Sequence, residues 1–111
     1  MEKISFKLIT NGETIIDKKV NYYINNNKMY FIIDKDKYSF DINDNILTKE
    51  NNESLITIDM QKNIINYYLK SVTRTAYLPL EYNNLIKEEK SIIFNYKVPE
   101  NDIENTIMIN Y

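Results

Sequence analysis

The sequence predicts an all-β domain, an antiparallel up-and-down meander closed as a barrel or folded as a sandwich, with at most one short helix. Two observations carry this. Apolar and polar residues alternate with period two along most of the chain, the pattern of strands with one buried face. The runs are separated by short polar punctuation, NG, NNN, DKDK, NDN, NNE, QKN and PEN, at spacings that suit an antiparallel meander.

The first run is KISFKLI, with Ile4, Phe6 and Leu8 on one face and Ser5 and Lys7 on the other. Asn11-Gly12 follows, a strong hairpin signal because both positions tolerate positive φ. A long second run places Ile16, Val20, Tyr22 and Ile24 on one face. Lys18 interrupts that face, so a bulge or bend is expected there. In NYYINNNKMYF, Tyr22 and Ile24 share a face with Met29 and Phe31 across a hairpin, Tyr23 and Tyr30 face the other way, and Asn25, Asn26 and Asn27 suit the turn. Tyr38, Phe40 and Ile42 repeat the pattern, as do Ile56, Ile58 and Met60. In KNIINYYLKSV, residues Ile64, Ile65, Tyr68, Leu69 and Val72 fit a helical face, whereas Ile65, Tyr67 and Leu69 fit a strand; β-branched and aromatic content favours the strand. LEYNNLIKEEK reads as a strand end plus a hairpin loop. Ile92, Phe94, Tyr96 and Val98 alternate next, then Ile107, Ile109 and Tyr111. The expected core includes Phe6, Phe31, Phe40, Phe94 and Tyr96.

The 111 residues fit a single domain, residues 1–111, and a hydrophobic fraction of 43% can supply its core. Fourteen basic residues against 16 acidic give a net charge of −2, so no long-range field steers the chain to nucleic acid or to an anionic membrane. The absence of cysteine excludes disulfides and thiol chemistry. The start, MEKISFKLITNG, lacks the apolar stretch of a signal peptide, and no run approaches the ~20 apolar residues of a membrane span. A soluble cytoplasmic protein is the expectation. Asn, Ile, Lys and Tyr are heavily used, as AT-rich codons would produce, so their counts alone carry no functional meaning.

Two stretches resemble the YwiB-like family of uncharacterised bacterial proteins. VNYYINNNKMYFII looks like the family's second hairpin, and LIKEEKSIIFNYKVPENDIENTIMINY looks like its closing strands, ending in Ile-x-Tyr. The resemblance implies a calycin-type, lipocalin-like β-barrel. It implies no activity. The family's middle carries a Thr-Pro-x-Gly type turn, whereas QKNIINYYLKSVTRTAYLPL stands there in this chain, so the resemblance leaves the register of residues 61–82 open.

The side chains narrow the chemistry. With neither histidine nor cysteine, the usual neutral-pH base and the usual zinc and iron–sulfur ligands are missing. The sole glycine, Gly12, lies in a turn, so there is no glycine-rich phosphate cradle. Asp34, Asp36, Asp41 and Asp44 cluster, but counting from Asp34 the calcium-loop glycine and glutamate positions hold Ser39 and Asn45, so turn residues are expected. Glu88 and Glu89 read as a hairpin tip. Tyr22, Tyr23, Tyr30 and Tyr38 with Lys28, Lys35 and Lys37 could stack nucleic-acid bases; a sequence pI of about 5.2 argues for cross-strand packing instead.

Arg74 is the only arginine, and on a strand it shares a face with Ala76, Leu78 and Leu80. A guanidinium there either reaches solvent at a strand end or anchors the head of a ligand whose tail lies along Leu78 and Leu80. Arg74, Leu78 and Leu80 are therefore the candidate ligand-binding residues. No catalytic residue, metal site or cofactor is expected. The leading reading is a non-enzymatic barrel that binds a small apolar or amphipathic ligand, with no nucleic-acid or membrane partner. The alternative is a solid-core structural or protein-interaction domain. The sequence leaves the oligomeric state open.

Overall fold

A computed structural model describes residues 2–100 and 102–111, with the side chains of Tyr82 and Asn83 excepted. It has eleven strands: β1 Lys3–Thr10, β2 Glu13–Asn25, β3 Lys28–Ile33, β4 Asp36–Asp41, β5 Ile46–Glu50, β6 Ser54–Asp59, β7 Ile64–Leu69, β8 Arg74–Pro79, β9 Tyr82–Glu88, β10 Ser91–Val98 and β11 Ile103–Asn110. Among the described residues there is no helix, and hence none long and apolar enough to cross a membrane. The strands form one antiparallel sheet in the order β8-β7-β6-β5-β4-β3-β2-β1-β11-β10-β9. Consecutive strands pair except β8 and β9, β1 pairs β11, and the sheet curls into a half-barrel whose edges are β8 and β9.

Nearly every hairpin turns through a residue with positive φ. With one glycine available, the chain uses Asn11, Asn26, Asn27, Asp34, Asn45, Asn63 and Asp102, residue types that tolerate this region. Asp41 and Asp59 fasten their turns from within. The Asp41 carboxylate accepts the N–H groups of Asn43 (3.1 Å) and Asp44 (2.9 Å), and Asp59 accepts those of Gln61 (3.1 Å) and Lys62 (3.0 Å). Asp36 accepts from Asn51 Nδ2 at 3.0 Å and faces Lys49 at 3.6 Å. Three of the four clustered aspartates, Asp34, Asp36 and Asp41, thus have turn or pairing roles.

Ile4, Phe6, Met29, Phe31, Phe40, Ile92, Phe94, Tyr96, Ile107 and Ile109 fill the concave side and are all buried, the expected aromatic core among them. Phe6 lies 5.6 Å from Phe31 and 5.0 Å from Tyr38, joining the two limbs of the curled sheet. Asn45, also buried, draws in Lys87 from β9: the ammonium donates to Asn45 Oδ1 at 3.1 Å and to the Ile42 carbonyl. Lys87 shares the face of Ile92, its partner across the ladder, and so reaches from the β9 edge to the β4–β5 turn.

The sequence expectations need three adjustments. Residues 64–69 are strand β7, which resolves the helix-or-strand alternative. LEYNNLIKEEK contains a whole strand, β9, instead of a strand end and loop, because Leu85 and Lys87 continue the ladder opposite Phe94 and Ile92. The register shift in β2 falls opposite Leu8 and Ile9, around Ile15, and Lys18 sits in register with Phe6.

Candidate functional site

The site grows out of β2. Its 13 residues pair with β1 from Glu13 to Asn21, but with β3 only from Tyr22 to Asn25. Upstream of Tyr22 the two strands part. The first half of β2 explains this: Glu13, Thr14, Asp17, Lys18 and Lys19 leave it polar on both faces. Lys18 lies opposite Phe6 on the concave side and is exposed, since an ammonium without a partner is not carried into a core. That half of β2 stays at the rim, and a fork opens between it and β3.

The fork holds a cleft of about 770 Å³, lined by Lys3, Lys19, Val20, Asn21, Tyr22, Tyr23, Tyr30, Phe31, Ile32, Lys37 and Tyr38. Its volume is that of a small-molecule site, ~300–1,000 Å³. Tyr23 and Tyr30 stack on the outer face, with centroids 5.0 Å apart, as the hairpin reading expected. Phe31 and Tyr38 stack below at 5.1 Å with their planes 2° apart. Tyr22 donates to Glu2 Oε2 at 2.9 Å and meets Tyr111 edge-on. Three ammonium groups, Lys3, Lys19 and Lys37, stand around these rings, and among the described residues no carboxylate lines the cleft. Among the described residues none of the three forms an ion pair; the ion pairs are Lys49–Asp36, Lys70–Glu50 and Lys97–Asp102. The chain is weakly acidic as a whole, yet this cleft is locally cationic.

Tyr38 also lines a second cavity, of about 140 Å³, inside the half-barrel with Phe6, Leu8, Leu47, Lys49, Ile56, Ile58, Tyr96 and Ile107. Tyr38 is the residue that lines both the inner cavity and the outer cleft. Burial, together with the nearby carboxylates of Asp36 and Asp34, pushes the Tyr38 hydroxyl up to about 12. Tyr22 is also raised, by burial and then by the Glu2 carboxylate that accepts its hydrogen bond. The inner cavity has room for little more than a benzene-sized group.

Arg74, Leu78 and Leu80 lie elsewhere. Arg74 opens β8 opposite Leu69, exposed and without an ion pair among the described residues. Leu78 faces Ile65 and is partly buried, and Leu80 is buried just beyond the strand. They flank the unpaired β8 edge, and neither cavity is lined by them. Glu88 and Glu89 sit at the tip of the β9–β10 hairpin, exposed. Of the tyrosine–lysine set singled out in the sequence, Tyr22, Tyr23, Tyr30, Tyr38 and Lys37 converge in the cleft; Lys28 and Lys35 do not line it. Lys3 and Lys19 carry no signal in the sequence, because on a strand they read as ordinary solvent-facing positions.

No family model matches the chain, and neither a curated protein nor a solved structure does.

Proposed function

We propose that the protein is a non-enzymatic binding module that takes a small amphipathic anion at the β2–β3 fork. The supporting observation is the cleft itself: stacked aromatic walls, three lysines that form no ion pair among the described residues, and the volume of a small-ligand site. Rings cover an apolar or aromatic body, and the exposed ammonium groups of Lys3, Lys19 and Lys37 at the rim favour an anionic head. With no histidine, no cysteine and no carboxylate in the cleft, the site offers binding without an evident general base. Three lysines at one fork do not make the extended cationic groove that tracks a nucleic-acid backbone. The curled antiparallel meander supports a barrel-like all-β fold, and we carry the YwiB-like, calycin-type assignment that the sequence resemblance implies as part of the proposal. We carry closure of that barrel, a cytoplasmic location and the absence of nucleic-acid or membrane partners as parts of the same proposal.

Arg74, with Leu78 and Leu80, is the second anchor we propose for such an anion, at the β8 edge, where its guanidinium has no ion pair among the described residues. One titration separates the two. Anilinonaphthalene sulfonate and a series of fatty acids are titrated against wild type, Lys19→Gln/Lys37→Gln and Arg74→Met. The cleft reading expects wild-type binding that weakens at least tenfold in the double lysine variant and is unchanged in Arg74→Met. The reverse pattern moves the site to Arg74. No binding by wild type ends the ligand reading and leaves a solid-core interaction domain.

A further inference from the structure

The fork has a property that a small amphiphile does not use. Antiparallel strands direct the N–H and C=O of alternate residues to opposite sides. The Tyr22 N–H donates to the Glu2 carbonyl at 3.3 Å, so the even-numbered residues of β2 face β1. The backbone groups of Asp17 and Lys19 then point into the fork, where no strand pairs with them. On the other lip, β3 pairs with β2 only as far as Phe31, and Ile32 is 58% exposed. The cleft therefore lies beside a free strand edge.

We propose that this edge accepts an extended acidic peptide segment of a partner protein, which adds as a strand to β2 and lays alternate side chains over Tyr22, Tyr23, Tyr30 and Phe31. This rests on reading the fork as an anion-binding site and names the ligand presented there. Main-chain pairing supplies affinity in such strand additions, and side-chain pockets supply selection. Selection for acidic residues follows from Lys3 and Lys19, which have no ion pairs among the described residues and would take up carboxylates on the added strand, with Lys37, opposite Glu50 on the next strand, adding to the field. On β2 itself Lys18 and Lys19 guard the edge against indiscriminate pairing, because a basic strand laid there is repelled.

The test uses the full chain and a capped eight-residue peptide alternating glutamate with valine and tyrosine. Its controls are the same peptide with lysine for glutamate, and a version N-methylated on alternate amides. The acidic peptide is expected to displace anilinonaphthalene sulfonate and to slow amide exchange at Lys19 and Asp17. N-methylation should weaken it at least tenfold, and the lysine peptide should not bind. Lys19→Gln should weaken the peptide through charge, and Lys19→Pro should weaken it further, since that amide faces the fork and not β1. If the small anion binds but the acidic peptide does not, or if N-methylation and Lys19→Pro have no effect beyond Lys19→Gln, strand addition is refuted and the small-anion reading stands. If neither the anion nor the peptide binds, both readings fall. Concentration-dependent dimerisation that protects the same amides with no peptide bound would assign the edge to a second copy and refute the partner proposal.

Discussion

Replacing Tyr38 by phenylalanine should change how stability depends on pH while leaving neutral stability nearly intact. Phenylalanine keeps the ring that stacks on Phe31 and meets Phe6, and the Tyr38 hydroxyl has no hydrogen-bond partner among the described residues. In the folded protein that hydroxyl is held up at about 12, first by burial and then by Asp36 and Asp34, whose negative charge opposes a phenolate. In the unfolded chain it returns to about 10. The acid is therefore favoured in its neutral form by folding. The stability associated with Tyr38 is complete below pH ~10 and is lost as pH rises through ~12. Two units correspond to ~2.7 kcal/mol, discounted to about 2 because the ring lines the open cleft and water reaches it. About half of that should be gone by pH 11. Urea unfolding followed by circular dichroism at pH 8, 9, 10 and 11 would measure it as the difference between wild type and Tyr38→Phe, in which the titration of lysines and of other raised tyrosines such as Tyr96 cancels. A difference that stays flat to within about 0.3 kcal/mol from pH 8 to 11 would mean that the Tyr38 hydroxyl is as fully solvated in the folded protein as in the unfolded chain, and would refute the reasoning.

Phe94→Ala should cost ~3–5 kcal/mol in guanidinium unfolding, since the ring is fully buried and stacked on Tyr96 at 5.1 Å; a loss under about 1 kcal/mol would mean β10 is out of register by one residue. Thr73 is a β-branched residue at φ 50°, so Thr73→Gly should raise stability by about 1 kcal/mol, read as a higher unfolding midpoint with an unchanged denaturant slope. Lys87→Met should lower stability by ~1–2 kcal/mol by leaving buried Asn45 Oδ1 without its donor, and an unchanged midpoint would show that β9 is not held to the β4–β5 turn by this side chain. The far-ultraviolet dichroism of wild type should show a β spectrum with no helical minima, as eleven strands require.

Part of the site was legible along the chain. Tyr22 and Phe31 on one face, with Tyr23 stacked against Tyr30 on the other, follow from a two-residue asparagine turn and strict alternation. Tyr38 and Lys37 follow from the next hairpin. Lys3 and Lys19 join them only because β1 and β2 pair in a register that sets Lys3 opposite Asn21, beside the fork. No local pattern reports whether a surface lysine ends up next to a carboxylate, and that decides whether it neutralises charge or offers it.

Alternation, turn chemistry and composition determined that this chain makes antiparallel strands, which residues of most strands face inward, and that histidine- and thiol-based chemistry is absent. These are local properties: a strand's faces repeat every two residues, and an Asn or Asp turn acts within four. The tertiary structure decided where pairing stops. It joined β1 to β11 across the chain, left β8 and β9 as the edges, ran residues 64–69 and 82–88 as full strands, and parted β2 from β3 at Tyr22. Those outcomes depend on how the two limbs close over Phe6, Phe31 and Tyr38 while Lys18 remains in water. Burial of a shared core against desolvation of one ammonium is a balance among residues far apart in sequence, so it exists only once the chain has folded.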